Sequence, residues 1–161
     1  MEEQEKLKIS KNNEIKNYGK PVNLKELTEA FDMQSDFLFF YVNQKSGEIV
    51  SLTEEEANED ALDDNAKSDE ARNILNSDEY IAIPSRWDLN KYQIMVDFIY
   101  SLKETPMKDV LARAIQGTGA FGRFKTAIEA YGIQNQWYSF LQELLKQMAI
   151  EWCDCNGLLY K

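Results

Sequence analysis

Residues 37–52, FLFFYVNQKSGEIVSL, decide the fold class of this 161-residue chain. FLFFYVN, at 37–43, is a run of residues that favour β-structure, and EIVSL, at 48–52, resumes the same pattern. The polar segment between them, QKSG at 44–47, ends in glycine and is typical of a chain reversal. The stretch therefore predicts an antiparallel β-hairpin.

A third strand is expected downstream of the hairpin. YIAI, at 80–83, has strand character and stops at Pro84, which has no backbone donor for a sheet ladder. We expect this segment to join the hairpin. Residues 158–160, LLY, are a further candidate for a closing strand.

Helical periodicity accounts for most of the remaining chain. Asn23 is followed three residues later by Glu26, as in a capping box, so a short helix is predicted after it. In the C-terminal half, apolar residues recur at helical spacing in four stretches, at about 88–102, 106–116, 120–130 and 135–155. The predicted fold class is therefore α+β, with a small antiparallel sheet packed with a helical C-terminal half of about four helices.

The domain organisation follows from composition. Residues 1–20 are polar with few apolar positions and are expected to form a flexible tail, and 21–161 are expected to form a single α+β domain. An acidic helix and loop lie at about 53–76, opened by a capping-box signature at Thr53 and Glu56. The aspartates of this stretch lack the alternating spacing of a calcium loop, so no calcium site is predicted there.

Charge and hydropathy limit the partners and the location. The chain holds 28 acidic and 18 basic residues, and its net charge of -10 opposes generic binding to phosphate backbones or anionic membranes. No run approaches the roughly 20 apolar residues of a membrane span, and the N-terminus lacks the apolar block of a signal peptide. We expect a cytoplasmic protein with no membrane partner.

The absence of histidine excludes several kinds of chemistry. Ser-His-Asp and Cys-His catalysis and histidine-based metal sites all require a residue that this chain does not contain. Cys153 and Cys155 point in different directions on a helix and cannot complete a zinc site by themselves. We therefore expect no catalytic set, no cofactor and no metal, and an enzymatic role is disfavoured without being excluded.

The segment GTGAFGRFK, at 117–125, spells the G-x-G-x-x-G pattern of nucleotide-binding loops. A dinucleotide site needs a strand leading into the glycine turn, whereas residues 109–116 have a helical pattern. A P-loop needs a lysine and a hydroxyl residue after its last glycine, and here Arg123 and Phe124 follow. The context excludes a nucleotide site although the spelling fits.

Two interpretations of this segment remain open. In one, free N–H groups at a helix start and nearby cations hold an anion or a partner. In the other, the glycines allow a turn between two helices, and Phe121 and Phe124 enter the core. The candidate contact residues in the first interpretation are Arg113, Gly117, Gly119, Arg123 and Lys125.

Several segments together resemble a bacterial family known as uncharacterised protein family 0158. The resemblance rests on IPSRWDLNKYQIMVDFI (83–99), AIQGTGAFGRFKTAI (114–128), YGIQNQWYSF (131–140) and AIEWCDCNGL (149–158), and it extends over about 22–161. The family implies no activity, substrate or cofactor. Its pattern usually has a basic residue where this chain has Gly122, so the resemblance implies that the third glycine of the motif is incidental.

Three functions remain, in this order. The first is a non-enzymatic protein-interaction or regulatory module that binds a protein partner through the acidic helix or through a groove between the C-terminal helices. The alternative is nucleic-acid or phosphate-ligand binding through the basic glycine corner at 113–125. The third is an enzyme that uses carboxylates with a recruited divalent cation. The sequence indicates neither the partner nor the oligomeric state.

Overall fold

The computed structural model describes residues 19–58, 68–85 and 90–161. Three expectations fall partly or wholly outside these ranges. They are the conformation of the tail up to residue 18, the middle of the acidic stretch at 59–67, and the start of the helix predicted from residue 88.

The predicted hairpin is confirmed, and its first strand is the central one of a three-stranded antiparallel sheet. The strands are β1 (Leu38–Asn43), β2 (Ile49–Thr53) and β3 (Tyr80–Ala82), in the order β2-β1-β3 across the sheet. The side chain of Asn43 organises the hairpin turn, because its Oδ1 accepts hydrogen bonds from the backbone N–H groups of Lys45 and Ser46 at 2.9 and 3.0 Å. The third strand predicted before Pro84 pairs with β1 and is also confirmed.

Seven helices accompany the sheet in the described ranges, and the last four are those predicted for the C-terminal half. The Asn23 side chain accepts from Glu26 N–H at 3.0 Å, and Thr53 and Glu56 form a reciprocal capping box, so both predicted helix starts are confirmed. The helices are α1 (Leu24–Met33), α2 (Glu54–Ala57), α3 (Asp69–Asn76), α4 (Lys91–Ser101), α5 (Pro106–Ala114), α6 (Ala120–Ala130) and α7 (Gln134–Cys155).

Both faces of the sheet are covered by helices. On one face, Val42 and Phe40 of β1 pack with residues of α1 and of the second half of α7. On the other face, Tyr41 and Leu52 pack with α3, where Ile74 is buried. This alternation along β1 follows from the two-residue period of a strand.

A second core lies among α4, α5, α6 and the first half of α7. Aromatic rings dominate it: the rings of Phe98 and Phe124 each make an edge contact with Trp137, at centroid distances of 5.3 and 4.8 Å. Because α7 contributes residues to this core and to the core beneath the sheet, it joins the sheet to the helical half.

The segment at 158–160 does not close the sheet, so that expectation was wrong. Tyr160 instead forms an isolated parallel bridge with Val22, which precedes α1. Val22 N–H donates to the Leu159 carbonyl at 2.8 Å, and Lys161 N–H donates to the Val22 carbonyl at 3.0 Å. The packing of α1 against α7 places the C-terminus beside the start of α1.

Within the described ranges, no helix has the length and apolar character needed to cross a bilayer.

Candidate functional site

The glycine segment is a corner between α5 and α6, as the helical context predicted. Gly117 and Gly119 have φ values of 75° and 79°, in the left-handed region that favours glycine. Gly122 lies inside α6, and a Cβ added there would meet no atom within 4 Å. The corner therefore requires its first two glycines and not the third, in agreement with the basic residue that the family resemblance implies at that position.

The guanidinium of Arg123 is directed at the backbone of the corner. Its Nε donates to the Ala114 carbonyl at 2.8 Å, its Nη1 to Thr118 at 2.6 Å and its Nη2 to Gln116 at 2.5 Å. A fourth contact joins Nη2 to the Gly117 carbonyl at 3.5 Å. The last carbonyls of a helix have no partner within the helix, and a cation there also opposes the negative end of the helix dipole. Arg123 thus caps the C-terminal end of α5 through these carbonyl contacts.

The two phenylalanines of the corner differ in environment. Phe124 is fully buried in the second core, as expected. Phe121 is 40% exposed, so its expected place in the core was wrong. The Nζ of Lys125 lies 5.7 Å from the centre of the Phe121 ring, at the distance of a cation–π contact. Residue 121 lies at the start of α6, where the helix surface faces solvent.

The five predicted contact residues therefore meet at one corner with unequal availability. Arg113 is exposed, and its Nε donates to the Asp109 carbonyl at 3.3 Å. Lys125 is exposed as well, whereas the donors of Arg123 point to carbonyls. Anion binding at this corner stays a prediction that would rest mainly on Arg113, Lys125 and the free N–H groups at the start of α6.

An open groove of about 540 Å³ lies at the sheet, beside β1 and the end of β3. Its residues come from the end of α1, the middle of β1, the chain that follows β3, and the last turns of α7. They are Gln34, Phe39, Phe40, Tyr41, Ala82, Ile83, Pro84, Ser85 and Trp152.

The groove exists because β3 is short. Ile83 N–H makes the last hydrogen bond of the ladder between β3 and β1, donating to the Phe40 carbonyl at 3.0 Å. Pro84, the next residue, has no N–H with which to continue that ladder. Phe40 N–H instead donates to the side-chain oxygen of Gln34 at 3.0 Å. Leu38 exchanges hydrogen bonds with Ser35, through the Ser35 N–H at 3.1 Å and the Ser35 Oγ at 3.1 Å. Residues 34 and 35 thereby complete the edge of β1 beyond the end of β3.

Gln34 is the unusual polar residue of this groove. Its side chain is almost fully buried, at 4% exposure, and its backbone N–H closes α1 by donating to the Ala30 carbonyl at 2.9 Å. Because Oε1 accepts from Phe40, the orientation of the amide is fixed and Nε2 carries the two donors. No residue in the described ranges accepts from Nε2, and Nε2 is not sealed from the groove. Because Oε1 holds the amide in place and Nε2 reaches the groove, an acceptor in the groove can pair with this nitrogen.

Aromatic side chains form the walls of the groove. Trp152 is half-buried and makes an edge contact with Phe31, with ring centroids 6.0 Å apart. Phe39 lines the groove and belongs to none of the three packed clusters. The chain beside the groove carries two further exposed apolar side chains, Met33 at 58% and Phe37 at 72%. Apolar surface of this kind is typical of contact sites.

Two described segments, one of which contains the groove residue Gln34, are acidic. We define the acidic rim as residues 32–37 and 53–58, which contain five acidic residues and no basic one. The two segments are adjacent, because Glu54 N–H donates to the Phe37 carbonyl at 3.0 Å. The acidic residues of the rim are Asp32, Asp36, Glu54, Glu55 and Glu56.

In the ranges that the structure describes, no three cysteine or carboxylate side chains are grouped as a metal site would require. Cys153 is buried and Cys155 is exposed, which confirms that they point in different directions. Burial raises the pKa of the Cys153 thiol to about 11, with a smaller contribution from the charge of Asp154. Cys153 is therefore a protonated core residue at neutral pH.

Sequence reasoning identified the corner and missed the groove. Gln34 was not singled out, because a polar residue after a helix ordinarily faces solvent and its burial depends on β1 lying against it. Pro84 was recognised as a strand stop, and that was the available signal that β1 loses its neighbour there.

Comparisons with known proteins support the resemblance noted in the sequence. No significant match was found among curated proteins, and none was found among solved structures. A protein-family model matches residues 19–160, which include the corner and every residue of the groove. The chain therefore belongs to the Uncharacterised protein family (UPF0158).

Proposed function

We propose that the protein is a non-enzymatic binding module that holds a segment of a protein partner in the groove beside Gln34. The observation that carries this proposal is the buried amide of Gln34, whose Nε2 has no acceptor in the described ranges and which lines an open, aromatic groove. A partner that offers an acceptor here pairs with a donor that no described residue uses.

The composition of the groove supports recognition over chemistry. Binding sites are concave, mostly apolar and furnished with a few fixed polar groups, and volumes of roughly 300–1,000 Å³ are usual for them. The residues that line this groove provide aromatic rings, aliphatic groups, one amide and two hydroxyls. Among the residues that the structure describes, the lining provides no carboxylate, amine or thiol, the groups that most often act as acid, base or nucleophile.

Site-specific photo-crosslinking tests the proposal. A benzophenone amino acid is placed at Phe37, which is 72% exposed beside the groove, and in a second variant at Tyr100, which is 74% exposed on α4. The variants are matched in residue type and exposure. In cells that naturally contain the protein, irradiation should give a discrete protein adduct from position 37 and not from position 100.

A variant of the groove itself provides the control for specificity. Gln34→Glu keeps an oxygen for Phe40 N–H and removes both donors of Nε2, so the fold should be retained while the adduct at position 37 decreases. Equal adducts at positions 37 and 100, or an adduct at 37 that Gln34→Glu leaves unchanged in a folded protein, would contradict the proposal.

A further inference from the structure

We propose that the segment bound in the groove is an extended, basic peptide. It has an apolar side chain at Phe39, a carbonyl that accepts from Gln34 Nε2, and lysine or arginine residues facing the acidic rim. This inference rests on the proposed function and specifies its partner. Three independent features of the groove support it.

The backbone of β3 favours an extended partner. Ile83 N–H faces β1, where it donates to Phe40, so the N–H and carbonyl of the preceding residue, Ala82, face away from the sheet. Ala82 is exposed and lines the groove, and β3 is an edge strand. An unpaired strand edge is a template for an incoming extended chain, which pairs with it through main-chain hydrogen bonds.

The amide of Gln34 extends this template past the end of β3. Its Oε1 already occupies the position of a strand carbonyl by accepting from Phe40 N–H. Its Nε2 then presents donors of the kind that a strand N–H presents, next to the point where Pro84 ends the ladder. A peptide carbonyl is the acceptor that fits a donor at this place.

The charge of the rim selects the peptide's flanking residues. Five acidic residues and no basic residue occupy the two rim segments, in a chain whose net charge is -10. Opposite charge on a partner raises the association rate and disfavours acidic competitors. An apolar residue flanked by lysine or arginine therefore matches the groove and its rim together.

Selection from a displayed random-peptide library tests the inference. The full-length protein is the bait, and peptides retained by Phe39→Ala are removed by counter-selection. Phe39 lies outside the packed clusters, so this variant should fold, which circular dichroism and the thermal midpoint check. We expect the remaining peptides to combine an aromatic or aliphatic residue with flanking lysine or arginine.

Charge reversal separates the role of the rim from general electrostatics. In Glu54→Lys/Glu55→Lys the dissociation constant of a selected peptide should rise roughly tenfold, and binding to the unchanged protein should weaken with added salt. The control, Asp109→Lys/Glu129→Lys, reverses two exposed acids of the helical half by the same total charge. It should leave the dissociation constant within about twofold, since exposed charges far from the site are screened.

Proline substitution along the selected peptide tests its extended conformation. A strand paired at an edge directs every second N–H to its neighbour, so proline should abolish binding at alternate positions and be tolerated between them. Loss of binding without this alternation would overturn the extended pairing.

The possible outcomes distinguish the inference from the proposed function. Selected peptides that depend on Phe39 but carry no basic residues would contradict the inference of a basic partner. They would still support the proposal that the groove binds a protein segment. A selection that yields no Phe39-dependent peptide would overturn both. Tighter binding of a synthetic peptide EKLKISK, residues 5–11 of this chain, than of any selected peptide would overturn the partner and assign the groove to the protein's own N-terminal segment.

Discussion

Replacement of Arg123 by alanine should destabilise the protein although the residue is exposed. The guanidinium donates to three carbonyls at 2.8, 2.6 and 2.5 Å, and all three belong to the end of α5 or to the turn that follows it. Alanine at this position leaves those carbonyls to water and removes a positive charge from the C-terminal end of the helix.

The size of the effect follows from the number and exposure of these bonds. A net contribution of about 1 kcal/mol for each of three hydrogen bonds gives about 3 kcal/mol. Fixing the long arginine side chain opposes this gain, so we expect a loss of about 2 kcal/mol in the free energy of unfolding. For a chain of this length, about 2 kcal/mol corresponds to a decrease of roughly 4–8 °C in the thermal midpoint.

Thermal and urea unfolding measure this loss. Two further variants show whether it comes from the carbonyl contacts or from the charge. Lys125→Ala, two residues further along α6, removes the same charge without carbonyl contacts and should change the free energy of unfolding by less than about 0.5 kcal/mol. Arg123→Lys keeps the charge, but its single ammonium cannot span three carbonyls, so it should restore less than half of the loss. Equal stability of Arg123→Ala and Lys125→Ala would refute the capping role. If phosphate stabilised the unchanged protein and not Arg123→Ala, Arg123 would instead be an anion contact.

The other predictions concern the corner and the buried thiol. Phe124→Ala should cost about 3–5 kcal/mol in unfolding free energy because the ring is fully buried, whereas Phe121→Ala should cost less than about 1 kcal/mol, as chemical denaturation can measure. Gly119→Ala should destabilise the protein by about 1–2 kcal/mol, since φ is 79° and the new Cβ would lie 3.0 Å from an arginine nitrogen. Gly122→Ala should stabilise it by about 0.5–1 kcal/mol, because alanine favours a helix more than glycine does and the new Cβ would meet no atom. Alkylation near pH 8.5, about the ordinary pKa of a thiol, should modify one cysteine in the folded protein and two in denaturant. Because burial raises the pKa of Cys153, the thiol contributes fully to the free energy of unfolding at pH values below the pKa that it has in the unfolded chain. This contribution is lost as the pH rises through about 11.

Local patterns predicted the elements of this fold well because their causes are local. A run of β-formers closed by glycine gave the hairpin, and Asn23 and Thr53 fixed two helix starts through hydrogen bonds to residues three positions away. The segment at 158–160 has the same apolar character as a strand. Its partner, however, was decided by the packing of α1 against α7, which no local pattern contains.

The groove was not predictable from the sequence for the same reason. Its described lining residues come from four separate parts of the chain, and their proximity depends on sheet order and on the path of α7. The burial of Gln34 depends on Phe40 lying opposite it, six residues later and across a change of element. By contrast, the corner is continuous in sequence, so its glycines and cations could be identified without the fold.

The corner and the groove differ in whether their polar side chains still have hydrogen-bond donors available for a ligand. This difference favours the groove as the binding site. At the corner, Arg123 has its donors directed at carbonyls that the helix end would otherwise leave unpaired. At the groove, the fold fixes one atom of the Gln34 amide and leaves the other without an acceptor among the described residues. An exposed cation loses little when it binds nothing, because water solvates it. The Nε2 of Gln34 belongs to an amide that its Oε1 holds in place, so an acceptor in the groove meets a donor of fixed position. Recognition is therefore better supported at the groove, although the corner carries the more conspicuous motif.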